Sequence, residues 1–205
     1  MKAQLQKILV LLMAVCIGLA ALPARSFAIG EAGTFYVQPE FGVYGTGQKA
    51  VNSIITFGGS GGYFIIDGLS IGAEALAYSF DQKKISRSTP SGNALYHVVR
   101  SDGYSQNPWA FGFNGLVRYY PVRTDTAAFF IGTGIGGLFS SDRIPYYSNG
   151  GRGSEANLTV PADIGFTVAF TPNMALEVTG RYQRIGFDSH GLDAWGGHAA
   201  LRFTF

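Results

Sequence analysis

Apolar residues fall at every second position in eight segments of this chain, and this two-residue period restricts the fold more than any other feature. The last segment, residues 195–205, shows it clearly. One face holds Trp195, Gly197, Ala199, Leu201, Phe203 and Phe205, and the other holds Gly196, His198, Ala200, Arg202 and Thr204. Such alternation places neighbouring side chains on opposite faces of a β-strand, whereas an amphipathic helix would repeat every 3.6 residues. We therefore predict strands that are apolar on one face.

The other seven segments show the same period with two kinds of irregularity. They span residues 35–44, 54–66, 69–78, 108–120, 127–139, 157–170 and 174–184. In 54–66 the phase is ambiguous, because Phe64 and Ile66 compete with Tyr63 and Ile65 for the apolar face. Pro39 and Pro161 interrupt two other segments. Proline lacks the N–H that a strand ladder needs, so we expect both prolines at bulges or near the ends of strands.

Composition identifies the surroundings that such strands require. The chain holds 29 glycines and only 14% charged residues, against about 25% in soluble domains. After residue 28, the most apolar run is 127–139, and four glycines interrupt it. An apolar chain without a helical span is typical of a membrane β-barrel, in which lipid-facing residues alternate with lumen-facing ones. We predict an all-β fold, an eight-stranded antiparallel up-and-down transmembrane β-barrel.

The connections between these segments alternate in length. Those at 67–68, 122–125 and 172–173 are short, whereas 81–107, 140–155 and 186–193 are longer and polar; only 46–51 is brief on that side. Barrels of bacterial outer membranes have short periplasmic turns and longer external loops. The pattern therefore predicts that both ends of the barrel domain lie on the periplasmic side.

The first 28 residues predict a cleaved secretory signal peptide. Lys2 and Lys7 precede an apolar stretch over 8–22, and Ser26-Phe27-Ala28 has the small–x–small form of a cleavage site. The alternative, a membrane anchor, would need about 20 apolar residues. Cleavage leaves the barrel domain at 29–205, without Cys16, the single cysteine. The mature domain then has neither a disulfide nor a cysteine-ligated metal.

The formal net charge of +2 is no argument for a nucleic-acid partner. Of the 15 basic residues, Lys2, Lys7 and Arg25 lie in the signal peptide, which leaves 12 against 13 acidic residues. Net charge bears on non-specific binding to nucleic acid, and here it is close to zero. We expect no nucleic-acid binding.

Five stretches resemble the small eight-stranded outer-membrane proteins of the OmpA-like, OmpX/Ail and opacity type, often grouped as an outer-membrane β-barrel domain or porin family. They are GGYFIIDGLSIGAEA (61–75), GLVRYYP (115–121), FFIGTGIGG (129–137), LEVTGRYQRIG (176–186) and LRFTF (201–205). The resemblance implies export through the periplasm to the outer membrane of a Gram-negative-type bacterium. It also implies contact with outer-membrane lipid and lipopolysaccharide. The closing aromatic strand resembles the signal read by the outer-membrane insertion machinery, although Ala200 stands where that signal usually has glycine.

Several ionisable residues occupy the face that would line the barrel. An eight-stranded barrel is only wide enough to be filled by side chains, and charges buried there must be paired. We predict a Glu/Arg network that plugs the lumen, or alternatively a narrow, gated ion path along the same charges. Its members are Glu40, Glu74, Arg118, Asp163, Glu177, Arg181 and Arg202, with His198 also inward.

Aromatic residues near the strand ends predict the girdles that flank the apolar belt of membrane barrels. We assign to these girdles Trp109, Tyr119, Tyr182, Trp195, Phe203 and Phe205.

Other motifs give little support to catalysis or cofactors. Ser189 and His190, with Asp193, suggest a Ser-His-Asp set, but adjacent residues in one loop are more typical of polar loop surface. GTGIGG (132–137) lacks the spacing and the following helix of a dinucleotide site. The three scattered histidines, His97, His190 and His198, predict no metal site. We expect no enzyme and no cofactor; a lipid A-modifying enzyme is the less favoured alternative.

The longer loops carry basic and aromatic residues that suit phosphate groups of lipopolysaccharide or an extracellular ligand. They include Lys83, Lys84, Arg87, Arg100, Arg143, Arg152, Tyr96, Tyr104, Tyr146 and Tyr147. The sequence thus favours a barrel with structural and surface-interaction roles, with a small pore for ions or small apolar solutes as the alternative.

Overall fold

The computed structural model describes residues 29–47, 51–82, 109–140, 155–186 and 191–205. Eight strands occupy most of these ranges, and their bounds are β1 Phe35–Thr46, β2 Val51–Ile66, β3 Leu69–Gln82, β4 Trp109–Arg123, β5 Ala127–Ser140, β6 Glu155–Thr171, β7 Met174–Ile185 and β8 Leu192–Thr204. The predicted signal peptide and the basic and aromatic loop residues lie outside the described ranges. Within them, no helix is long and apolar enough to cross a bilayer.

Each strand pairs with its neighbours in the sequence, and β1 also pairs with β8, so the sheet is a closed barrel. All pairings are antiparallel. Closure satisfies the backbone N–H and C=O groups that an open edge would leave unpaired. The prediction of an eight-stranded, antiparallel up-and-down barrel is confirmed.

Burial alternates along the strands and separates two faces. In β1, for example, Phe35 and Phe41 are exposed whereas Tyr36, Gln38 and Glu40 are buried. Around the barrel the exposed set is mostly aromatic and branched aliphatic, and it includes Phe57, Phe111, Phe113, Val117, Ile131, Ile135, Phe166, Phe170 and Val178. An apolar surface that surrounds the whole barrel indicates an apolar environment, since soluble monomers rarely expose such large patches.

The short turns β2–β3, β4–β5 and β6–β7 share one end of the barrel, here called the turn end; the opposite end is the loop end. Phe35 and Phe205 also meet at the turn end, where their backbones exchange hydrogen bonds of 3.1 and 2.9 Å. Their rings stack with centroids 4.9 Å apart. The first residue of β1 is thereby joined to the residue that directly follows β8.

The lumen is filled in three levels. Apolar side chains form a turn-end layer of Ile29, Tyr36, Phe64, Tyr120, Ala128 and Phe130. A second cluster forms a loop-end layer of Tyr44, Val51, Ile54, Leu76, Tyr78, Phe80, Ala110, Leu138, Ile185, Leu192 and Ala194. Between these layers lies a polar midsection, which holds the buried charged residues.

A register shift between Phe64 and Ile66 accounts for the ambiguous phase of the second segment. Phe64 is buried in the lumen, whereas Tyr63, Ile65 and Ile66 are all exposed. A β-bulge places an extra residue in one strand, so the alternation changes phase there.

The expected placement of both prolines at bulges or strand ends is wrong. Pro39 pairs with Gly59 in a continuous β1–β2 register, and the β1–β8 register is the same on both sides of it. Pro161 likewise pairs with Gln183 in a continuous β6–β7 register. A strand residue directs its N–H toward one neighbour only, so proline removes one ladder bond and leaves the other ladder intact.

Replacing Gly68 by alanine should destabilise the barrel by about 1–2 kcal/mol, the penalty for a side chain in the left-handed region. Gly68 has a φ of 78° in the β2–β3 turn, and a Cβ there would lie 3.0 Å from the Tyr120 carbonyl oxygen. Urea unfolding in phospholipid vesicles, followed by tryptophan fluorescence, measures the change. Gly115→Ala is the control, because its added Cβ would meet nothing closer than 3.7 Å. Equal stabilities of the two variants would contradict this account.

Candidate functional site

The polar midsection of the lumen is the candidate functional site. All seven residues of the predicted charge network are buried there, on strands β1, β3, β4, β6, β7 and β8. Strand β5 presents Gly132, Gly134 and Gly136 to the same level. A Cβ on Gly132 would lie 2.9 Å from Cγ of Arg118, so glycine leaves the space that the arginine occupies.

Glu177 is the centre of one half of the midsection. Its carboxylate accepts hydrogen bonds from Nη1 of Arg118 at 3.0 Å and from Nε2 of Gln38 at 2.9 Å. Thr167 Oγ1 donates at 3.2 Å, and Nη2 of Arg202 forms a further ion pair with Oε2. These donors come from four other strands, so one carboxylate links β1, β4, β6 and β8 to β7.

Arg181 is the centre of the other half. Its Nε and Nη2 donate to the two oxygens of Asp163 at 2.6 and 2.8 Å, the parallel geometry in which arginine binds carboxylates most strongly. Its Nη1 lies 2.8 Å from Oε1 of Glu74, which also accepts a 2.9 Å bond from Asn114. Arg118 Nη2 lies 3.9 Å from Asp163, so Arg118 connects the two halves.

The arginines also contact the turn-end layer. The guanidinium carbon of Arg202 lies 4.1 Å from the centroid of the Tyr36 ring, and its Nη2 donates to the Tyr120 hydroxyl at 2.8 Å. The guanidinium carbon of Arg118 lies 5.2 Å from the Phe130 centroid. Charged and apolar levels are therefore packed directly on each other.

Glu40 departs from the expected Glu/Arg pairing. No described arginine is within ion-pairing distance of its carboxylate; instead, His198 Nδ1 lies 3.3 Å from Oε2. Gln38, Asn114, Thr167 and His198 complete the site, although the predicted network did not include them. All four have the inward parity of their strands, so strand alternation alone marks them as lumen residues.

The predicted girdle aromatics occupy both ends of the outer face, with one exception. Trp109, Tyr119 and Trp195 are exposed, and Tyr182 packs against Trp195 with centroids 4.6 Å apart. Phe205 stacks on Phe35. The exception is Phe203, because only 1% of this residue is accessible. It pairs with Met174 and with Val37, which is outward and exposed.

This chain is similar to known proteins in its structure. No family model matches the chain, and no curated protein matches it. Solved structures do match. Neisserial surface protein A is 17% identical, with a TM-score of 0.57 over 84% of this chain and 99% of that one.

Two proteins of Pseudomonas aeruginosa are similar to the same degree. The N-terminal β-barrel domain of OprF is 13% identical, with a TM-score of 0.55 over 85% of this chain and 98% of that one. The outer membrane protein OprG is 13% identical, with a TM-score of 0.52 over 86% and 97%. The chain thus has the fold of small eight-stranded outer-membrane β-barrels, at an identity too low to carry a function with it.

Glu177→Gln should destabilise the barrel by about 3–5 kcal/mol, because Arg118 and Arg202 would lose the carboxylate that compensates their buried charges. Unfolding in vesicles by guanidinium chloride measures the effect. Glu31→Gln is the matched control, since Glu31 is exposed at the turn end. A change below about 1 kcal/mol, the range of an exposed ion pair, would show that the network contributes little.

Proposed function

We propose that this protein is an integral outer-membrane barrel of a Gram-negative-type bacterium whose lumen is sealed and whose roles are structural and surface interaction. The apolar outer face and the fold shared with OprG support the location. In a bilayer, a closed barrel satisfies every ladder group internally, which no open sheet can do.

The observation that carries the sealed lumen is the pair of apolar layers at its two ends. Phe80 and Leu138 in the loop-end layer, and Phe130 in the turn-end layer, are 0% exposed. An ion crossing either layer would lose its hydration without gaining a polar partner, which is very unfavourable. Apart from Glu40, the charges between the layers are paired with one another, so they stabilise the interior and do not line a water path.

A small pore is the second candidate, and one observation favours it. A cavity of about 270 Å³ opens at the turn end, and its wall includes both Phe64 and Arg202. Arg202 is the one member of the charge network among the residues that line it. Conduction would still require the loop-end layer to rearrange.

We propose no catalytic activity. Of the Ser-His-Asp candidates, Ser189 and His190 lie outside the described residues. Asp193 accepts a 2.6 Å bond from the Tyr182 hydroxyl and a 2.8 Å bond from Nη1 of Arg184. Both carboxylate oxygens are thus engaged by other groups, and neither needs a histidine partner. A lipid A-modifying enzyme stays the least supported alternative.

The proposed partners are those of an outer-membrane barrel. The exposed aromatic and aliphatic belt suits lipid and lipopolysaccharide acyl chains, and the basic loop residues suit lipopolysaccharide phosphates or an extracellular ligand. Strand β8, with its aromatic end, is proposed to engage the outer-membrane insertion machinery.

Refolded protein should give no steady single-channel current across a planar bilayer, because apolar side chains seal both ends of the lumen. A heat-dependent gel shift verifies that the sample is a closed barrel. The variant Phe80→Ala/Phe130→Ala removes one ring from each layer and should increase the frequency of openings. Phe113→Ala/Phe139→Ala is the control, since both of these rings are on the outer face. A stable wild-type current that changes in Arg118→Ala would replace the sealed barrel by a pore.

A further inference from the structure

Three metal-ligating side chains converge in the midsection from strands that are far apart in the sequence. They are Glu40 of β1, Glu74 of β3 and His198 of β8. One ligand atom of each lies within 4.8 Å of the others. Among the residues that the structure describes, this is the only group of three or more potential metal ligands at such distances. All three residues are buried.

A second observation shows that this cluster lacks a component. Glu40 is only 6% exposed and His198 only 5%. Neither oxygen of Glu40 has a hydrogen-bond donor, and Nε2 of His198 has no partner either. A buried carboxylate without donors is very unfavourable, so a cation or a proton must compensate it.

The charges around the cluster favour a bound cation. Glu40, Glu74 and Asp163 lie in the half of the midsection whose arginine is Arg181. With His198 neutral, the midsection as a whole holds four carboxylates against three guanidinium groups, which leaves one negative charge in excess. Arg118 and Arg202 are bound to Glu177 in the other half, and only Arg118 reaches toward Asp163, at 3.9 Å.

The ligand types select among cations. One imidazole with two carboxylates suits a first-row divalent transition metal such as Zn²⁺, which binds these groups at about 2.0–2.2 Å. Calcium takes six to eight oxygen ligands, and magnesium keeps several waters, so both fit this set poorly. Bonds of that length require the three ligand atoms to approach one another by roughly 1 Å, which rotation of the side chains can supply.

We infer that Glu40, Glu74 and His198 form a binding site for a divalent transition metal, represented by Zn²⁺. The ion joins β1, β3 and β8 inside the barrel, and it therefore ties together β1 and β8, the pair that closes the sheet. The apolar layers close above and below it, so the ion enters while the barrel folds and is afterwards retained. This inference does not depend on whether the barrel conducts or what its loops bind.

The test uses the full mature chain with His97→Gln and His190→Gln, which removes the other two histidines of the sequence. This background is refolded either with Zn²⁺ or with a chelator, freed of loose metal, and analysed for zinc by mass spectrometry. The expected result is one equivalent of zinc after refolding with Zn²⁺, retained in EDTA until the barrel is unfolded. The zinc-loaded barrel should also need a higher temperature for its gel shift than the metal-free barrel.

Glu40→Gln and His198→Gln, made in the same background, should reduce bound zinc at least about tenfold, because even loss of a group that only supports a ligand lowers metal affinity by about 10–100-fold. Glu31→Gln should keep it. The gel shift confirms that each variant is folded. Zinc binding that is unchanged in both ligand variants, or absent from the background, would overturn the inference; in the latter case a proton compensates Glu40.

X-ray absorption spectroscopy of the zinc-loaded background gives a test that needs no substitution of a proposed ligand. The expected first shell contains one imidazole nitrogen together with oxygen ligands and no sulfur. A shell made of oxygens alone, without the scattering of an imidazole ring, would overturn the site.

Discussion

Pairing of β1 with β8 is the interaction on which the rest of this structure depends. It converts a sheet with two free edges into a closed barrel, in which the ladder continues through the backbone hydrogen bonds between Phe35 and Phe205. Closure satisfies the backbone without water, and it lets the outer face be apolar throughout. It also creates an interior too narrow to stay empty, which must be filled by side chains.

The way the interior is filled follows from this narrowness. Side chains from opposite walls meet across the lumen, so Glu177 contacts Gln38, 139 residues away in the sequence, and Arg118, 59 residues away. These hydrogen bonds join strands that are not paired with each other in the sheet. The charged side chains are buried, which strengthens the ion pairs and makes the loss of one partner unfavourable. Glu40 and His198 are the exception, since their polar atoms lack complete partners, and they belong to the same seam that closes the barrel.

The barrel fold is preserved among proteins whose sequences differ at most positions. Structures only 13% and 17% identical share the barrel over more than four fifths of this chain. Alternation of apolar and other residues is compatible with very many sequences, whereas each lumen contact needs particular side chains. Functional differences among such barrels therefore belong to the lumen and the loops, and the fold alone does not define them.

The sequence by itself determined the strands, their number and the face on which each side chain lies. Alternation is a local property: it places Arg118, Arg181 and Glu177 inside and Trp109 and Trp195 outside without any knowledge of their neighbours. It also marks Gln38 and Asn114 as lumen residues. Only the tertiary structure decided which inward groups meet. Arg181 binds Asp163 and Glu74, Glu40 meets His198 in place of an arginine, and Phe203 is buried although its pairing partner Val37 is exposed. Partner choice depends on the register of all eight strands and on closure of the sheet, because these together set the height of each side chain along the lumen and the wall it faces.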